Sequence, residues 1–173
     1  SFKAALDAAD AGDEIILNTD LELTLGDTRA VSGFYATISK DIVLNLNGKK
    51  IIANVPDVTT NSGIFEVKSG AEFTVKGEGA IHLNTGKAIN CLSTFINNNA
   101  GIVNLVGDID WTISAYDSWE DALIPCFVDN NSNVGNATLN IYAGTYTFHR
   151  NLFRNFSNAA SHNNYATVAT INI

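Results

Sequence analysis

The stretch Asn136-Ala-Thr-Leu-Asn-Ile-Tyr-Ala-Gly-Thr-Tyr146 decides the fold, because its core phrase returns as Ala169-Thr-Ile-Asn-Ile173 at the other end of the last segment. The phrase is apolar, polar, apolar, which is the period of a strand with one buried face. It also stands at Leu44-Asn45-Leu46, Phe73-Thr74-Val75 and Val103-Asn104-Leu105, so the steps from Leu44 through Phe73, Val103 and Leu139 to Ile171 are 29, 30, 36 and 32 residues. One further step of 29 back from Leu44 reaches Ile15-Ile16-Leu17. Self-similarity at about 30 residues marks a stacked repeat.

A second apolar position travels with the first: Phe65, Phe95, Phe127 and Phe153 precede Phe73, Val103, Leu139 and Ile171 by 8, 8, 12 and 18 residues. The intervening link grows while the order is kept, as loops do in a solenoid. A third apolar stretch follows each repeat after a glycine-bearing turn, as in Gly79-Ala-Ile-His-Leu83 and Gly144-Thr-Tyr-Thr-Phe148. Three short strands per turn predict an all-β chain forming a right-handed parallel β-helix of about five coils, the handedness following from the general rule for parallel crossovers. The expected interior column is Leu44, Phe73, Val103, Leu139 and Ile171, with neighbouring rungs about 4.8 Å apart. An antiparallel sandwich would not preserve a phrase at this interval.

Residues 1–173 read as one domain, with 1–11 as a short capping helix. Ser1 is placed as N-cap, Phe2, Ala5, Leu6 and Ala9 share a helical face, and Gly12 suits a left-handed terminator. The chain stops on its last repeat phrase, and the expectation is that further chain or a partner covers the Ile171 rung.

Ten basic against eighteen acidic residues give a net charge of −8, and only Lys49-Lys50 clusters, which argues against a nucleic-acid surface. No apolar run approaches the ~18 residues that span a bilayer. Cys91 and Cys126 lack a CxxC pattern or a nearby histidine, so zinc is not expected; they read as half-buried thiols or as one disulfide. No cofactor is expected.

With the repeat, the Asn- and Gly-rich turns and the opening Asp7-Ala-Ala-Asp-Ala-Gly-Asp-Glu-Ile-Ile-Leu17 in view, the chain resembles the right-handed parallel β-helix (pectin-lyase-like) superfamily. Within it, the likeness is to repeats of phage fibres and bacterial surface adhesins. That resemblance implies a structural or adhesive module of a virion appendage or bacterial surface protein, a homo-oligomer with a trimer favoured, and a surface glycan as ligand. The alternative it implies is a polysaccharide lyase or glycoside hydrolase. Asn18-Thr19-Asp20 matches one polygalacturonase-like tripeptide, but the accompanying Asp-Asp, Gly-His-Gly and Arg-Ile-Lys are missing. A lyase-like calcium cluster with a basic residue is also not visible.

Two sets of residues are candidates for chemistry. Glu78 and Asp108 are one 30-residue step apart, so they fall on neighbouring rungs at about the ~5–5.5 Å of a retaining glycosidase pair, though both sit in glycine-bearing turns. The segment 107–125 holds both tryptophans and accounts for the longest step; Trp111, Tyr116, Asp117, Trp119, Glu120 and Asp121 there combine aromatic faces with acids, a set suited to a sugar or to packing as a lid. Asn97, Asn98, Asn99, Asn130, Asn131 and Asn155 are expected in stacked turns as structural amide ladders. His82, His149 and His162 are expected at the surface or in turns, without a catalytic partner.

Overall fold

The computed structural model describes residues 1–26, 33–58, 60–86, 93–115, 126–131, 136–147, 153–156 and 169–173. After helix α1 (Phe2–Ala8), strands follow in threes: β1 (Asp13–Ile16), β2 (Leu21–Thr24) and β3 (Gly33–Ile38), then β4 (Ile42–Asn45), β5 (Lys49–Val55) and β6 (Ser62–Val67). The same order continues with β7 (Glu72–Lys76), β8 (Gly79–Thr85) and β9 (Ser93–Asn99), then β10 (Ile102–Val106), β11 (Ile109–Ala115) and β12 (Cys126–Asn131). Last come β13 (Ala137–Ile141), β14 (Thr145–Thr147), β15 (Phe153–Phe156) and β16 (Ala169–Asn172).

Each sheet takes every third strand. The first sheet is β1-β4-β7-β10-β13-β16, the second is β2-β5-β8-β11-β14 and the third is β3-β6-β9-β12-β15. The pairings are parallel, so the chain is a parallel β-solenoid, with two sheets five strands deep and β16 extending the first to six. The architecture and the depth of about five coils agree with the repeat.

The register corrects the expected column. Ile42, not Leu44, faces Phe73, and the row continues through Val103, Leu139 and Ile171. Leu44 belongs to the next inward row, between Ile15 and Val75. A slip of two residues keeps every side chain on its face, so an alternating phrase alone cannot distinguish the two pairings. The backbone ladder does so: the step is 31 residues at Asn45↔Lys76 and returns to 30 at Lys49↔Gly79. The corner absorbs the extra residue at Asn47, whose φ is 51°.

The phenylalanine row is also staggered. Phe65 pairs with Ile96, Ile96 with Val128, and Val128 with Phe153, so Phe95 and Phe127 lie one position away from the row that contains Phe65. The rings nevertheless meet inside. Phe2 of α1 meets Phe65 edge-on at 6.2 Å, Phe65 lies 5.1 Å from Phe73 and 5.3 Å from Phe95, and Phe95 lies 5.6 Å from Trp111. Trp111 then contacts Phe127 at 5.3 Å and stacks on Tyr146 at 5.9 Å. An aromatic spine thus runs from the N-terminal helix to the fifth strand of the second sheet.

The capping helix is shorter than expected. Ser1 Oγ accepts the Ala4 amide, and Leu6 and Ala9 are buried with Phe2 packed on the core, but Ala5 is exposed. Gly12 does not terminate the helix, because Ala9 caps it in an extended conformation; Gly12, at φ 90°, instead turns the chain into β1 and donates to the Asp41 carbonyl at 2.8 Å. Lys40 Nζ also donates to the Ala9 carbonyl, tying the helix end to the second coil.

The corner between the first and second sheets is close-packed backbone. Gly107 has φ 122°, and a Cβ there would lie 2.2 Å from the Gly77 carbonyl oxygen. The turn at Gly107 therefore stacks on the turn at Gly77 with no room for a side chain between them.

Candidate functional site

The corner stack puts Glu78 and Asp108 on neighbouring rungs, since Gly79 faces Ile109. Both side chains are exposed in their turns. A glycosidase pair needs one carboxyl kept protonated by an enclosing apolar wall or a close like charge, and solvated turn acids lack that enclosure.

Trp111 departs from the ligand set. It occupies the inward row Leu21–Ile51–Ile81–Trp111–Tyr146 and is 1% exposed, with its faces covered by Phe95, Phe127 and Tyr146. Its Nε1–H is buried without a hydrogen-bond partner. A sugar cannot stack on an enclosed ring, so Trp111 is a core residue whose apolar area outweighs one orphaned donor. Tyr116, Asp117, Trp119, Glu120 and Asp121 lie outside the described residues, as do Cys91, His149 and His162.

The remaining candidates serve the scaffold. Asp20 Oδ1 accepts the Lys50 amide at 2.8 Å, so the acid of the Asn18-Thr19-Asp20 tripeptide ties one coil to the next. His82 points outward from β8, and its Nε2 lies 2.8 Å from Ser114 Oγ on β11. Cys126 is buried in β12. Among the described residues no three His, Cys, Asp or Glu side chains converge as a metal site, and no helix is long and apolar enough to cross a membrane.

What the outer faces do carry is an arrangement that sequence reasoning missed. Asn54 Nδ2 donates to Glu22 Oε1 at 2.9 Å and Thr24 Oγ1 at 3.3 Å; Asn104 Nδ2 donates to Glu72 Oε1 at 2.6 Å and Thr74 Oγ1 at 3.1 Å. In both cases the outward Glu-x-Thr of one strand is clasped by the asparagine facing its threonine on the next rung. Its sequence signal is Glu-Leu-Thr and Glu-Phe-Thr, each followed 30 residues after the threonine by Asn. Asn45 makes a related bond to Glu14 Oε1 at 2.7 Å, and Lys76 Nζ reaches the same oxygen at 3.1 Å. The Asn45 and Lys76 hydrogen bonds hold the exposed Glu14 carboxyl below its ordinary pKa.

Amide ladders extend these clasps. Asn84 donates to Asn54 at 2.8 Å on the second sheet, while Asn140 donates to Asn104 at 2.8 Å and Asn172 to Asn140 at 2.6 Å on the first. Of the asparagines expected in stacked turns, Asn98 and Asn130 bond from rung to rung, but they do so in strands β9 and β12 and inside the protein; the side chains of Asn131 and Asn155 lie outside the described residues. Asn98 and Asn130 are fully buried and joined at 2.7 Å, Asn98 Nδ2 also reaching the Gly101 and Thr138 carbonyls at 3.0 Å.

Around the Asn104–Asn140 rung of this ladder, apolar side chains lie open to solvent. On β10 the sequence Ile102-Val-Asn-Leu-Val106 turns Ile102, Asn104 and Val106 outward, and the next rung sets Thr138, Asn140 and Tyr142 beside them. Ile102 is 40%, Val106 36% and Tyr142 68% exposed. Comparison with known protein families, curated proteins and solved structures returns no match to this chain.

Proposed function

We propose that this chain is a structural and adhesive β-helical module of a virion appendage or a bacterial surface protein, a stiff rod whose flat faces hold a glycan. The observation that carries the reading is the use of outward polar side chains. Asparagine, threonine and glutamate on the first two sheets bond from rung to rung, which stiffens a stack that backbone pairing alone would leave free to twist. Weak surface charge suits side-by-side association in a larger assembly, and a trimer follows from the resemblance to fibres.

The competing chemistry is polysaccharide cleavage, and the two separate in one assay. Incubation with a panel of acidic polysaccharides is expected to release no reducing or unsaturated ends. Release that disappears in Asp108→Asn would replace the structural reading with a lyase or hydrolase. Sedimentation of the purified chain tests the association: the proposal expects a multimer, and a monomer at high concentration removes it.

A further inference from the structure

We infer that the outward patch formed by Ile102, Val106, Tyr142 and Asn140 binds an uncharged oligosaccharide. The inference rests on the adhesive half of the function proposed above and assigns it to a surface other than the tryptophan-bearing segment.

Exposed apolar side chains are concentrated here. Among the described residues the large hydrophobics left open to solvent are Ile16, Ile102, Val106, Tyr142 and Ile173, and three of these five share two neighbouring rungs of the first sheet. The backbone ladder continues past β13, with the Tyr142 amide donating to the Leu105 carbonyl at 2.9 Å, so the tyrosine stands beside Val106. Clustering of this kind sets three apolar side chains on one outward face, within reach of a single small ligand.

The centre of the patch is polar and preorganised. Asn140 donates to Asn104 Oδ1 and accepts from Asn172 Nδ2, which fixes its amide plane. An amide has two N–H donors and an oxygen with two lone pairs, so one donor and one acceptor position remain on Asn140 after these ladder bonds. Beside it, Tyr142 offers a ring face. Apolar faces alternating with fixed donors and acceptors match a sugar, whose C–H faces stack while its hydroxyls both donate and accept.

Size and charge select the occupant. Two strands about 4.8 Å apart and five residues at about 3.3 Å each give a patch of order 150 Å², against roughly 800 Å² per partner in a stable protein interface. That area fits two or three sugar rings and is too small to hold a second copy of the chain. The patch residues carry no charge, and the chain bears a net charge of −8, so an acidic glycan is disfavoured.

The test is titration calorimetry with neutral cello-, xylo-, malto- and manno-tetraose, each set against an acidic galacturonan fragment. At least one neutral tetraose is expected to bind. Tyr142→Ala should weaken it about 10-fold, and Tyr142→Phe should keep most of the affinity because the ring face remains. Unchanged circular dichroism of the exposed-site variants verifies the fold. Neutral-glycan binding that survives Tyr142→Ala places the glycan elsewhere and overturns the inference while leaving the adhesive reading standing. Binding of the acidic fragment alone, or of no glycan, overturns the inference; with no glycan bound the adhesive half falls too. Loss of self-association in Tyr142→Ala without glycan binding shows the patch to be a subunit contact and also overturns it.

Discussion

Replacing Asn98 by alanine should cost more stability than any substitution of an exposed amide. Its side chain is fully buried and makes four hydrogen bonds: Nδ2 to Asn130 Oδ1 at 2.7 Å and to the Gly101 and Thr138 carbonyls at 3.0 Å, and Oδ1 from the Gly101 amide at 2.9 Å. The truncation leaves the buried Gly101 N–H without its acceptor, at about 1–3 kcal/mol, and each of the other bonds contributes on the order of 0.5–1.5 kcal/mol. Because the two Nδ2 hydrogens are shared among three acceptors, the sum is about 3–5 kcal/mol. At about 2–4 °C per kcal/mol for a chain of this size, the thermal midpoint should fall by about 6–20 °C. Circular dichroism melts measure it. Asn98→Asp provides the sharper control: it keeps the acceptor for Gly101 but turns a second oxygen toward three acceptor oxygens. Burial and those oxygens raise its folded pKa, so its stability should fall further as pH rises above the unfolded carboxyl range. A shift below about 2 °C for Asn98→Ala, or full tolerance of Asn98→Asp at neutral pH, would refute the view that this buried amide pins the coils together.

Three further outcomes are expected. Gly107→Ala should destabilise by about 2–4 kcal/mol, since its Cβ would meet the Gly77 carbonyl oxygen at 2.2 Å and φ is 122°; chemical denaturation reads it, and an unchanged midpoint would contradict the corner geometry. Glu14 has a folded pKa below its ordinary 4.5, so the stability it contributes is present above that value and is lost as pH falls through the lowered one. Glu14→Gln should flatten this acid limb in melts across pH, and salt should weaken it. Burial pushes the Tyr146 phenol up to about 12 from 10.0, so the associated stability is intact below pH 10 and drains away as pH rises toward 12. Phenolate absorbance should show this tyrosine titrating late, and Tyr146→Phe, which keeps the stack on Trp111, should remove the alkaline limb.

The sequence by itself determined the solenoid. A phrase of alternating polarity recurring every 29 to 36 residues has few ways to bury its apolar face except by stacking on its own copies, and turn-forming Asn and Gly between the phrases allow the winding. It also fixed the capping serine, and it placed Glu78 and Asp108 on adjacent rungs, because a count of residues per coil is a one-dimensional quantity. Only the tertiary structure decided the register. Ile42 or Leu44 could face Phe73 without changing which side chains point inward, and the choice lies in how many residues the corner at Asn47 absorbs. Trp111 was ambiguous for a similar reason: composition marks an aromatic residue beside acids, whereas its parity along β11 sets it in the inward row with Ile81 and Tyr146. The Glu-x-Thr clasps were spelled out in the sequence yet unreadable there, since each joins residues about 30 apart that become neighbours only once the coils are stacked in register. The patch around Tyr142 was hidden for the same physical reason: exposure belongs to a face assembled from two rungs, and neither rung's sequence alone contains it.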